Sequence, residues 1–215
     1  MLTMKHDKPG ACTVLAVMAT VQRLAPGTPL LVVAPAVENA IGPRATRPSD
    51  IVTALNGKRV EVTNTDAEGR LILGDAMTWA ERLGATHLVD VATLTGAAHR
   101  ALGPFDSALF GSDELLVEEL LALGRHAGDR LWRLPLDEDL RADLASPYAD
   151  LVNSPSRVEG GAIHAALFLR EFRTRPWAHL DIAGTAYART DLAWAPRGAL
   201  GTAHATLVEI GRAHV

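Results

Sequence analysis

His87-Leu88-Val89-Asp90-Val91-Ala92-Thr93-Leu94-Thr95-Gly96 passes from a nearly continuous apolar run into a short polar end that carries a glycine. A run of this length, rich in valine and leucine, reads as a strand buried on both faces. Working outward, the same alternation of strand and helix recurs. Residues 71–83 are helical by their apolar periodicity, and residues 30–34 form another short apolar run of buried-strand type. Residues 11–24 read as a helix rich in alanine and valine that Pro26-Gly27 ends. Asn56-Gly57 lies between β-prone runs within residues 51–63, which predicts a hairpin. Residues 107–111 read as a weaker strand and 113–126 as a helix. An alanine-rich helix over 161–172, a strand over 179–184 and a final helix over 200–209 complete the pattern. A polar loop with Pro43 and Pro48 covers roughly residues 38–50. Apolar strands alternating with helices predict an α/β fold whose central, mostly parallel sheet is sandwiched between helices. No repeat, low-complexity tract or Ser/Gly linker divides the chain.

The chain has 215 residues, 48% of them hydrophobic and 21% charged, enough apolar content for one sizeable core. A net charge of −4 provides no electrostatic attraction for nucleic acid or for an anionic membrane. No run of 18 apolar residues is present, so no bilayer-spanning helix is predicted. The first residues lack the apolar core of a signal peptide, and a single cysteine excludes an internal disulfide framework. Both features predict a cytoplasmic chain. Cys12, flanked by Ala11, Val14 and Leu15, is expected to be a small packed residue. Lysine occurs only at Lys5, Lys8 and Lys58.

In parallel sheets, ligand sites gather where strands end in loops. Three segments fall at such places: Asn64-Thr65-Asp66-Ala67-Glu68-Gly69-Arg70-Leu71, the Thr93 to Gly96 end, and Gly184. The octapeptide admits two readings. Two carboxylates one residue apart, followed by glycine and arginine, suit divalent cations beside a fixed positive charge. Thr65-x-x-Glu68 ahead of Leu71, Ile72 and Leu73 fits a capping box equally well. Other chemistry is absent: there is no Gly-x-Ser-x-Gly elbow, no phosphate-binding P-loop, no His-Glu-x-x-His and no Cys-x-x-Cys. His164, inside an alanine-rich helix, reads as a packed or partly exposed histidine and not as a ligand. What remains is carboxylate chemistry at Asp7, Asp66 and Glu68, and oxygen-rich sites of that kind suit Mg²⁺, Mn²⁺ or Zn²⁺.

The octapeptide resembles the signature of the leucyl aminopeptidases, cytosolic dinuclear metallopeptidases. Other segments are similar to that family in the same order. They are Met4-Lys5-x-Asp7 with Gly10-Ala11, Glu38-Asn39, Arg47-Pro48-x-Asp50, and Asn56-Gly57-Lys58-x-Val60-Glu61-Val62. Further on come Asp90-x-Ala92-Thr93-Leu94-Thr95-Gly96-Ala97, Asp150-Leu151-x-Asn153, Gly160-Gly161-Ala162-Ile163 and Trp177-Ala178-His179-Leu180-Asp181-Ile182-Ala183-Gly184. The resemblance implies a zinc-peptidase-like three-layer fold and removal of N-terminal residues from peptides with two divalent metal ions, Mn²⁺ or Zn²⁺. It implies that Asp7, Asp66 and Glu68 are metal ligands. Arg70 would be the catalytic residue, holding a bicarbonate with help from Gly69, Leu94 and Gly96. Met4, Thr93, Gly96 and Ala183 would bind the amino-terminal side of the substrate, Asn64 and Ala67 would lie toward the leaving-group side, and Leu94 would be a further substrate-binding residue. Asp90 and Asp181 look like paired structural carboxylates. Peptide substrates and a homo-oligomer, a hexamer in this family, are the implied partners.

The resemblance covers residues 1–208, expected to be a partial catalytic domain truncated at its start. The lysines and the aspartate that the family places before the Asp7 position are not found here. Glu209-Ile210-Gly211-Arg212-Ala213-His214-Val215 reads like one frame of a common sequencing adapter and is expected to be a non-native tail. Ser49 and Leu200 stand where the family favours glycine and threonine. These departures predict a chain with little peptidase activity and weak metal affinity. A non-catalytic interaction subunit that assembles with full-length homologues is the alternative reading.

Overall fold

Spacing of apolar residues along each helix decides which face it buries. The computed structural model describes residues 4–213. After a 3-10 turn at Met4–His6, helix α1 (Pro9–Leu24) starts on a proline, which has no amide to leave unsatisfied there. Gly10, Thr13, Val17 and Val21 are its buried stripe. Strands β1 (Ile51–Thr53) and β2 (Arg59–Glu61) form the hairpin expected from Asn56-Gly57. Gly57 takes φ 90° there, and Asn56 Oδ1 accepts from Lys58 N at 3.1 Å. Then follow α2 (Glu68–Arg82), β3 (Leu88–Ala92), α3 (Gly96–Leu102), β4 (Ser107–Gly111), α4 (Glu114–Ala127) and β5 (Leu131–Arg133). Short β6 (Leu151–Val152) lies parallel to β2. Helix α5 (Gly161–Arg170), β7 (Trp177–Asp181), β8 (Tyr187–Ala188), β9 (Gly198–Ala199) and α6 (His204–Ala213) complete the chain.

The central sheet has the order β3-β7-β4-β5. β3 pairs β7 in parallel and β5 pairs β4 in parallel, while β4 and β7 are antiparallel. Alternation along the strands feeds two cores. Leu88, Ala108, Phe110 and Trp177 pack with α2, α3 and α5 on one face. Val91, Leu109, Ala178 and Leu180 pack with α1, α4 and α6 on the other. This is the expected three-layer α/β arrangement, with a mixed central sheet and a separate small sheet built on the hairpin. Every residue of β7 is buried, as a strand covered by helices on both faces requires.

Three expectations are corrected. Residues 30–34 form no strand; they are half-exposed and lie outside any ladder among the described residues. Their apolar run is real, but no described strand lies beside it to accept its hydrogen bonds. Cys12 is exposed, because its side of α1 faces an open cavity and not the core. The last helix begins at His204 and runs to Ala213, four residues later than residue 200, after a turn in which His204 N donates to Gly201 O. Residues 209–213 are therefore helical, and Gly211 packs closely on Val21 of α1. His214 and Val215 lie outside the described residues. Ser49, the position where the resemblance favours glycine, has φ 73°, a left-handed conformation that glycine adopts without strain.

Candidate functional site

The octapeptide crosses from the hairpin sheet into α2, and one buried amide holds its backbone. Asn153, fully buried just after β6, accepts through Oδ1 from Thr63 N at 2.9 Å and Asn64 N at 3.2 Å. Its Nδ2 donates to Asn64 O at 2.7 Å and Ala67 O at 3.3 Å. Asn64 Oδ1 then accepts from Asp66 N at 2.9 Å, making a tight Asx turn. The helix starts at Glu68 with Ala67 at its N-cap and no side-chain capping bond. Thr65 does not cap it, so the capping-box reading falls and Glu68 is released from that duty.

Glu68 Oε2 is buried and has no hydrogen-bond partner among the described residues. A carboxylate oxygen left so is costly unless a cation or donor completes it. Two residues on, Arg70 is 8% exposed. Its Nη1 donates to Asn153 O at 2.9 Å, while Nε is buried and unpartnered. Burial pulls this guanidinium down to about 10, against the opposing charge of Asp181.

On the facing side, Asp7 accepts from Thr93 Oγ1 at 2.8 Å, tying the start of α1 to the end of β3. Asp7, Glu68, Gly69, Thr93 and Leu94 line one cavity of about 510 Å³ bounded by α1, α2, β3 and the residues near 31–37. The arrangement thus unites two carboxylates, a threonine and the Gly69–Leu94 contact around a common space beside a buried arginine. Asp66 is exposed and does not line that cavity, because the Asx turn holds it before the first turn of α2. Met4, Asn64, Ala67, Arg70, Gly96 and Ala183 also lie off its wall. Among the described residues, no three His, Cys, Asp or Glu side chains stand together as a metal site. The donors therefore fit a cation in kind, through the orphaned Glu68 oxygen, yet do not form a closed ligand set.

Beneath the site lie carboxylates that are structural, as expected, but not paired with each other. Asp90 accepts from Trp177 Nε1 at 2.7 Å and meets His179 Nδ1 at 2.6 Å. Burial pulls His179 down, but the charge and hydrogen bond of Asp90 outweigh it and hold the imidazole above its ordinary value. Asp181 instead serves backbone donors at 94, 95 and 183. His164 is buried against Asp143 at 3.0 Å, and Lys58 is engaged by Glu171 in the hairpin region. Sequence reasoning did not assign Asn153 or Asp181 any part in the site. The available signal was a polar residue following or ending an apolar strand.

The sequence model for the catalytic domain of the cytosol aminopeptidase family matches residues 1–208. The chain belongs to the cytosol aminopeptidase family. It is 48% identical over 208 residues to a probable cytosol aminopeptidase of Solibacter usitatus, covering 96% of this chain and 43% of that protein. A probable cytosol aminopeptidase of Dechloromonas aromatica is 51% identical over 185 residues, covering 86% of this chain and 37% of that protein. Among solved structures, a tomato leucine aminopeptidase mutant is similar with a TM-score of 0.85 and 38% identity, over 93% of this chain and 39% of that one. The bottromycin maturation enzyme BotP in complex with Mn gives a TM-score of 0.88 and 42% identity, over 96% of this chain and 47% of that one. The chain spans less than half the length of each of these proteins.

Proposed function

We propose that this chain carries the carboxylate and arginine side of a metal-dependent aminopeptidase centre that removes N-terminal residues from peptides. The observation that carries this reading is the buried, unpartnered Glu68 Oε2 on the same cavity as Asp7, in a chain of the cytosol aminopeptidase family. Asp7 and Glu68, with Asp66 brought in from outside the cavity wall, would hold two divalent cations, and the similar enzyme in complex with Mn supports Mn²⁺ as the first to try. When bound, such a pair supplies a Lewis acid and an activated water. The chain's own residues do the rest. Arg70 keeps a buried charge whose free Nε and planar fork suit bicarbonate, with Gly69 and Leu94 close by. Thr93, with Met4, Gly96 and Ala183, would bind the amino-terminal side chain, Leu94 would also contact the substrate, and Asn64 and Ala67 would lie toward the leaving group. Homo-oligomeric assembly and a cytoplasmic setting follow from the same reading.

The incomplete donor set favours weak metal binding and little turnover by the chain alone. Calorimetric titration of Mn²⁺ into the purified chain, the Glu68→Gln variant and the Asp7→Asn variant tests the site. Weak binding that falls by about tenfold in each variant is expected, the loss of one charged ligand contact. No binding, or binding indifferent to both substitutions, refutes the site. Hydrolysis of a leucine chromogenic amide by the chain alone, at a kcat on the order of 1 s⁻¹ or more, would overturn its expected inactivity.

A further inference from the structure

Asp181 ends β7 opposite Ala92, one residue before the loop that begins at Thr93. It is 1% exposed, and four donors converge on it. Oδ1 accepts from Leu94 N at 3.1 Å, Thr95 N at 3.3 Å and Ala183 N at 3.1 Å. Oδ2 accepts from Thr95 Oγ1 at 2.6 Å, and that hydroxyl accepts in turn from Ala98 N at 3.0 Å at the start of α3. A cap for α3 needs only Thr95. The carboxylate reaches further, because it joins two separate strand ends: residues 93–96 after β3 and residues 182–184 after β7. Both carry candidate substrate residues, Thr93, Leu94 and Gly96 on one and Ala183 on the other. Among the described residues Arg70 makes no ion pair, and the charge that opposes its burial is that of Asp181.

We propose that Asp181 is a positioning residue for the candidate site: it sets the spacing of the two strand-end loops, so that Thr93 and Leu94 face the cavity shared with Asp7 and Glu68. This rests on the aminopeptidase reading of that cavity. A single buried acceptor shared by three amides makes the two loops move as one body. An independent set of acceptors would let Ala183 shift without Leu94. Burial raises the carboxyl of Asp181 above its ordinary range, against the charge of His179 and the hydrogen bonds from Thr95, Ala183 and Leu94.

The test uses the full chain labelled with ¹⁵N and compares Asp181→Asn with Asp181→Leu. Asparagine keeps an acceptor for the three amides and loses the charge; leucine has similar size and loses all four bonds. In Asp181→Asn the amide protons of Leu94, Thr95 and Ala183 move upfield together, while Mn²⁺ affinity at the Asp7 and Glu68 cavity stays near that of the parent. In Asp181→Leu those amides exchange about tenfold faster or more, and Mn²⁺ affinity falls by a similar factor, as expected when a charged acceptor is lost. A folded Asp181→Leu chain with parental amide protection and Mn²⁺ affinity overturns the proposal. If that variant does not fold, Asp181→Asn decides: failure of the Leu94 and Ala183 amides to shift together overturns it equally. Should the parent chain bind no Mn²⁺, the aminopeptidase reading fails, whereas the amide shifts still judge the coupling of the two loops.

Discussion

Glu171 shows how one side chain can tie three segments together. Its carboxylate accepts from Lys58 in the hairpin and from Arg141 Nε at 2.9 Å, while its backbone oxygen accepts from Asn56 Nδ2 at 3.2 Å. Burial raises its pKa, but the bonds from Lys58 and Arg141 and their charges outweigh that, so it lies below its ordinary value. A carboxylate depressed in the folded state contributes stability that is present above its unfolded pKa and lost as pH falls through the folded one. Glu171→Gln should lower the urea midpoint at pH 7, by about 1–2 kcal/mol of stability for the loss of charged hydrogen bonds. It should also flatten the loss of stability as the pH falls through and below the ordinary glutamate range, where the parent carboxylate comes to be protonated. Urea melts at neutral and acid pH check both, and an unchanged acid slope would contradict the assignment. At this same scale the octapeptide was legible as a site, since Asp66, Glu68 and Arg70 are chemically distinctive. The parts of Asn153 and Asp181 were not legible, because a buried amide or carboxylate is recognised by the backbone groups it meets, and those come from remote segments.

Helix starts separate what local sequence can and cannot decide. Asp113 caps α4, its side chain accepting from Leu116 N at 2.9 Å, and Leu116, Val117 and Leu120 follow as the buried face. Thr65 has the spacing of a capping box for α2 but makes no such bond, and Ala67 occupies the N-cap. Asp113→Ala should therefore cost about 1 kcal/mol, a fall in Tm of roughly 2–4 °C for a chain of this size. Thr65→Ala should fall within about 0.5 kcal/mol. Calorimetry of the two variants checks the contrast, and equal losses would restore the capping box. The hairpin was readable because Asn56-Gly57 meets the conformational demand of its own turn. Residues 30–34 misled for the opposite reason: an apolar run becomes a strand only where a neighbouring backbone accepts its bonds.

The whole molecule is a sheet with a helix layer on each face, yet β3 is an edge strand whose outer side borders the large cavity. Exposed Leu15 at 57% and Leu31 at 44% flank that edge. An unpaired edge beside apolar side chains is a template for association. Sedimentation velocity should show association that grows with concentration up to roughly 100 μM and is suppressed by combining Leu15→Glu with Leu31→Glu. A monomer across that range would show that the edge is adequately protected. By itself the sequence determined the α/β class, the helix and strand periods, the hairpin turn and the family-bearing octapeptide, because each depends on residues adjacent in the chain. Only the tertiary structure decided that Asp7 and Glu68 share a cavity while Asp66 stays outside it. It alone placed Cys12 in the open and left Glu68 Oε2 without a hydrogen-bond partner among the described residues, because burial and hydrogen bonding depend on which distant backbone arrives alongside.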